Sequence, residues 1–124
     1  MAFTQNCTIV TRTTDADLSA KAYHIVIESG GDAVLAADGD SPFMGVLTDN
    51  VRDGSTTQAI VSVQKMGECK VKCGATITAP VFLMSDANGK AIAATTGKYF
   101  FGYADEDAVN GDILTYTAAY GQLA

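Results

Sequence analysis

An all-β fold, a small antiparallel β-sandwich or barrel with short turns and an extended N-terminal arm, is what the punctuation of this 124-residue chain predicts. Turn clusters recur at short intervals: ESGGD, ADGDS, DNVRDGS, MGE, CGA, DANGK, TTGK, FGY and VNGD. Between them lie short segments rich in Val, Ile, Thr, Tyr and Phe, the pattern of many short strands joined by tight turns. No stretch holds the 3.6-residue apolar period long enough for a substantial helix.

Length and composition narrow the class further. A chain of 124 residues is one domain, long enough to bury roughly two-thirds of its unfolded surface in a single core. Fourteen acidic against eight basic residues give a net charge of -6, which repels phosphate backbones and anionic membranes. Neither a nucleic acid nor a membrane is therefore the expected partner. The longest purely apolar run, Ala33 to Ala37, is far below the ~18 residues that span a bilayer. The start MAFTQNCTIV has no secretory pattern, so synthesis in a cytoplasm is expected. In such a reducing compartment the three cysteines are expected to stay unpaired.

The first element is residues 1–16, read as an N-terminal arm, with residues 17–124 as a single β domain. MAFTQNCTIVTRTT has no glycine turn, is rich in β-branched residues and offers little apolar area to bury. Such a segment suits addition to the sheet edge of another chain. The contact residues expected are Phe3, Thr4, Asn6, Cys7, Thr8, Ile9 and Val10, with Phe3, Cys7 and Ile9 on the face that becomes buried. An ordinary edge strand or a frayed terminus is the alternative. DADLSAK can form one turn of helix capped by Asp15 or Asp17. Strands follow at Tyr23 to Glu28, Gln58 to Gln64, Val81 to Ser85, Tyr99 to Ala104 and Asp112 to Thr117.

GECKVKCG, residues 67 to 74, raises the question of a metal or redox site. As a strand it places Cys69, Val71 and Cys73 on one face and Glu68, Lys70 and Lys72 on the other. The two cysteines then stand about 13 Å apart, too far for a disulfide or a shared zinc ion. Both are read as apolar core filler. In SDANGK the Asn88-Gly89 pair suits a type I′ hairpin. A calcium loop is the alternative, and the hairpin reading is favoured because counting from Asp86 the glycine falls at position 4 and position 12 is Gly97.

Catalytic candidates are sparse. His24, the single histidine, alternates with Tyr23, Ile25 and Ile27 and is expected to project outward. Asp105, Glu106 and Asp107 lie between a strand and the VNGD turn and read as a solvated loop rather than paired carboxylates. The five Tyr and five Phe are spread along the chain, and Trp is absent. No catalytic residue, cofactor or metal is expected.

The order of pieces resembles the small capsid decoration, or cement, proteins of tailed bacteriophages. The likeness runs from about Asp17 to the end: a Gly-Val-Leu strand at 45 to 47, the GECKV strand, the entry ATITAPV into the Asp-Ala-Asn-Gly hairpin, a Gly-Tyr-Ala strand and the closing NGDIL strand. The cysteines lie outside that pattern. The resemblance implies a non-enzymatic virion protein on the outer surface of an expanded head, often a homotrimer, with the major capsid protein as partner. A virion-surface or other ligand-binding β domain, for a sugar or a host receptor, is the alternative.

Overall fold

Nine strands form, and no helix occurs among the described residues. The computed structural model describes residues 7–14, 18, 20–48 and 59–124. The strands are β1 (Cys7–Thr14), β2 (Ile25–Ser29), β3 (Asp32–Leu35), β4 (Gly45–Leu47), β5 (Ala59–Lys72), β6 (Phe82–Ser85), β7 (Ala91–Ala93), β8 (Tyr99–Ala104) and β9 (Ile113–Gln122). The all-β expectation holds. Every paired strand is antiparallel, in the order β3-β2-β4-β5-β9-β8-β6-β7, with β1 added on β5. The sheet curls into a half-barrel.

Strand β5 is the spine of the molecule. The sequence suggests a turn at MGE between two strands, but residues 59–72 run as one 14-residue strand. Gly67 adopts φ 94°, a conformation that costs glycine little, and this bends the strand without reversing it. Pairing continues on both sides of the bend, with β1 and β4 before it and β9 after it. The buried Gln64 bridges the changeover. Its side-chain amide donates to the Leu47 and Lys70 carbonyls at 3.2 and 2.8 Å, and its oxygen accepts the Lys70 amide at 2.9 Å.

Two clusters of buried side chains follow from this bend. Leu18, Val26, Ala33, Met44, Leu47, Val61 and Val63 fill one, with Val10 and Leu35 at its margin. The larger contains Ile25, Phe43, Val46, Cys69, Val71, Cys73, Ile77, Leu83, Phe101, Leu114 and Tyr116. Adjacent residues of β2 and β4 point to different clusters, so both strands are covered on both faces. That is why Gly45, Val46 and Leu47 are all buried.

His24 differs from the sequence expectation for the same reason. It precedes β2, is only 6% exposed, and its Nδ1 lies 2.9 Å from the Ala22 carbonyl oxygen. Tyr23, with φ 63°, turns the chain into the strand. The β6–β7 hairpin forms where expected, but with a longer loop than a two-residue type I′ turn: Ser85 pairs with Ala91. Only Gly89 in the loop has positive φ, 77°. The Asp86 carboxylate accepts the Asn88 and Lys90 amides at 2.8 and 3.0 Å, replacing the turn geometry that a second positive φ would supply. Leu18 begins a hydrogen-bonded turn to Lys21, while Asp15 and Asp17 lie outside the described residues.

Candidate functional site

The expected arm divides into two parts. Phe3, Thr4 and Asn6 lie outside the described residues. Cys7, Thr8, Ile9 and Val10 belong to β1, which pairs with β5 of its own chain from Cys7↔Gly67 to Thr14↔Ala59. Residues 7–14, inside the expected arm, thus pair as a strand within their own chain. The reason is the length of β5, whose first half offers β1 a backbone edge within the same chain. Val10 packs against the smaller cluster, and buried Thr14 donates its hydroxyl to the Ala33 carbonyl at 2.8 Å.

The expected face also changes. The ladder skips Lys65 of β5 between the Thr8 and Ile9 pairs; Thr8 and Ile9 are both exposed, and Val10 packs inward. Cys7 and Ile9 therefore do not share a buried face. Ile9 is 53% exposed, as are Ile60 at 50% and Met66 at 52% on β5. Among the described residues β1 pairs as a strand with β5 alone; Thr13 and Thr14 at its C-terminal end bond to Asp32 and Ala33 of β3, so the edge that another chain could extend lies toward its N-terminal half.

Beside this edge, Arg12, Glu28, Ser41, Pro42, Phe43, Met44 and Lys65 line a cleft of about 450 Å³. Lys65 Nζ donates to the Met44 carbonyl at 2.7 Å and lies 5.4 Å from the Tyr120 ring centroid. Burial first, then the Arg12 guanidinium, lower its pKa. The cleft carries two cations, Arg12 and Lys65, and one carboxylate, Glu28.

A second surface is aromatic. Phe82 pairs across the sheet with Tyr103, their ring centroids 6.3 Å apart, and Phe82 lies 4.2 Å from Phe100. The aromatics that look scattered along the chain are therefore gathered here by register. Pro80, Val81, Phe82 and Tyr103 line a shallow apolar recess of about 230 Å³. Phe101, adjacent to Phe100, turns inward to stack edge-on against Phe43 and Tyr116.

The acidic loop next to this surface holds neighbouring strands and loops by hydrogen bonds. Asp105 accepts the Thr117 hydroxyl at 2.8 Å, Glu106 the Thr115 amide at 2.8 Å, and Asp107 the Ala79 amide at 2.8 Å. Each carboxylate has its own partner, so the three do not converge as a catalytic pair would.

Cys69, Val71 and Cys73 are all fully buried, as the alternation of GECKVKC predicts. Burial, followed by the Asp112 and Glu106 charges, pushes the Cys73 thiol up to about 11. Cys69 has a partner that spacing along one strand did not reveal: Cys7 Sγ, 62 residues away in sequence, lies 2.9 Å from Cys69 Sγ. Burial and this neighbour raise the Cys69 pKa strongly. Among the described residues no group of three or more His, Cys, Asp or Glu is placed to hold a metal ion.

No protein-family model and no curated protein matches the chain. Among solved structures it is similar to the head fiber gp8.5 N base of bacteriophage phi29, with a TM-score of 0.64 and 21% sequence identity. The two chains share a fold. The match covers 94% of this chain and 99% of the other, so it extends over the whole half-barrel rather than one hairpin.

Proposed function

We propose that the protein is a non-enzymatic structural component of a bacteriophage head, binding major capsid subunits on the outside of the expanded shell as a decoration protein. The observation that carries this reading is the end-to-end likeness to a phage head-fiber base, 94% of one chain on 99% of the other. It supports head association, and the sequence resemblance to cement proteins supports the stabilising role. The β1 edge with exposed Ile9, Ile60 and Met66 supplies a seat for a capsid segment or a neighbouring copy in a homotrimer. A protein that binds only the assembled shell stabilises it by mass action, without chemistry.

Co-sedimentation with expanded and precursor shells tests the reading. The expected result is saturable binding to the expanded form alone and a solution mass of three chains. Equal binding to both forms, or to neither, would overturn the decoration role.

The Phe82, Phe100 and Tyr103 cluster favours a second reading, a virion-surface domain that binds a sugar or host receptor, because aromatic faces make good stacking platforms. A glycan titration read by Tyr fluorescence distinguishes it: binding lost in Tyr103→Ala supports this reading, and no binding to any glycan removes it.

A further inference from the structure

We propose that Cys7 and Cys69 are a redox-responsive pair that closes into an intramolecular disulfide, fastening β1 to β5, when the protein meets a low-molecular-weight disulfide such as oxidised glutathione. Their sulfurs are 2.9 Å apart, within about 1 Å of the bonded distance. The register explains the approach. Cys7 pairs with Gly67, so Cys69 is its diagonal neighbour two residues along β5. Gly67 has no side chain between them, and its φ of 94° bends β5 at this point. Cys73 lies beyond the end of β5, paired with Ala91, and has no part in the reaction.

The two sulfurs differ in access. Cys7 is half-buried, whereas Cys69 is fully buried and its thiol contacts the Met66 carbonyl oxygen at 3.5 Å. Cys7 is therefore the sulfur that meets the reagent. Its thiolate attacks the external disulfide, forming a mixed disulfide and releasing one small thiol. Cys69 then attacks Cys7 Sγ, forming the protein disulfide, and its proton leaves with the second small thiol. Two protein thiols are oxidised and one external disulfide is reduced to two thiols, so atoms and electrons balance. Burial keeps Cys69 protonated, making the second step the slow one and accelerating it as pH rises. A reducing cytoplasm would keep the pair open, and an oxidising exterior would close it.

The functional consequence falls on the docking edge. Open, β1 is held by its ladder to β5 and by the packing of Val10 and Thr14. Closed, it is also held at its N-terminal end, across 62 positions of sequence. Such a crosslink restricts the unfolded chain and slows fraying of the strand.

The test uses the full chain, incubated with oxidised or reduced glutathione, then unfolded at acid pH to halt exchange, alkylated in denaturant and mapped by peptide mass. Oxidation should consume two thiols, leave Cys73 alkylatable, and yield a crosslinked peptide pair containing Cys7 and Cys69, lighter by two hydrogens. Tm should rise by about 5–10 °C and return with dithiothreitol. Cys7→Ser, at the half-exposed position, should fold, form no crosslink and show no such rise. A persistent glutathione adduct on Cys7, a Cys7-linked dimer, unreacted thiols, or a crosslink without a rise in Tm would each overturn the proposal.

Discussion

Tyr116 shows packing outweighing hydrogen bonding at a single residue. Its ring is fully buried and stacks edge-on to Phe101 at 5.1 Å, while its hydroxyl, beside the Cys69 thiol, is buried with no hydrogen bond of good geometry among the described residues. Burial, then the nearby Cys69, push its pKa well up, so the group stays neutral. Removing an unpaired buried hydroxyl relieves a desolvation cost, so Tyr116→Phe should hold stability or raise it by about 1 kcal/mol in urea unfolding. A loss of that size would mean the hydroxyl is bonded. His24 predicts a pH effect. Burial lowers its folded pKa below 6.5, so the unfolded chain takes up the proton first. The stability it contributes is present above about pH 6.5 and is lost as pH falls through the lower folded value. Tm measured from pH 8 to 5 should fall along that limb, and His24→Gln should flatten it.

Among the elements, the β6–β7 hairpin illustrates how a turn also locks a neighbour. Gly89 accepts the Ile25 amide at 2.7 Å, tying the hairpin to β2. A Cβ at Gly89 would meet Leu35 Cδ1 at 2.6 Å, and φ is 77°. Gly89→Ala should therefore cost about 2 kcal/mol, more than Asp86→Ala, which loses amide contacts at about 1 kcal/mol. Chemical denaturation of both variants checks the order. For β1, deleting residues 2–14 exposes the edge of β5, removes Val10 from the margin of the smaller cluster and breaks the Thr14 bond to the Ala33 carbonyl. The truncated chain should lose its cooperative thermal transition or aggregate. A truncated domain that melts at the parent temperature would restore the reading of this segment as a dispensable arm.

For the whole molecule, the curl of the sheet places an apolar edge, a mixed-charge cleft and an aromatic recess on one acidic body. These surfaces make separable predictions about docking. Substituting Phe82 and Tyr103 with alanine removes side chains that are each 38% exposed but stack on each other and on Phe100, and should cost about 2–4 kcal/mol of stability, so binding is compared at a temperature where the variant is folded. If the recess is the capsid contact, sedimentation should show at least about tenfold weaker binding, equivalent to ~1.4 kcal/mol. Ile9→Asp at the β1 edge provides the parallel test for strand addition. If binding depends on the cleft cations, it should also weaken as salt is raised, because exposed charges are screened.

The sequence determined the features that depend on neighbouring residues. Glycine and Asx positions marked most turns, Tyr99 to Ala104 emerged as a strand with its full length, and the alternation of GECKVKC placed Cys69, Val71 and Cys73 inward. A two-residue period is a local property that any strand expresses. Tertiary structure decided what depends on which strands meet. Continuous pairing made one bent β5 from two apparent strands, gave residues 7–14 a partner in their own chain, and covered both faces of β2 and β4, with His24 buried beside them. Register gathered Phe82, Phe100 and Tyr103 on one surface and set Cys7 beside Cys69. Spacing along a single strand can rule out a Cys69–Cys73 bond, but contacts between residues 62 positions apart arise only when long-range ladders fix the register of one strand against another.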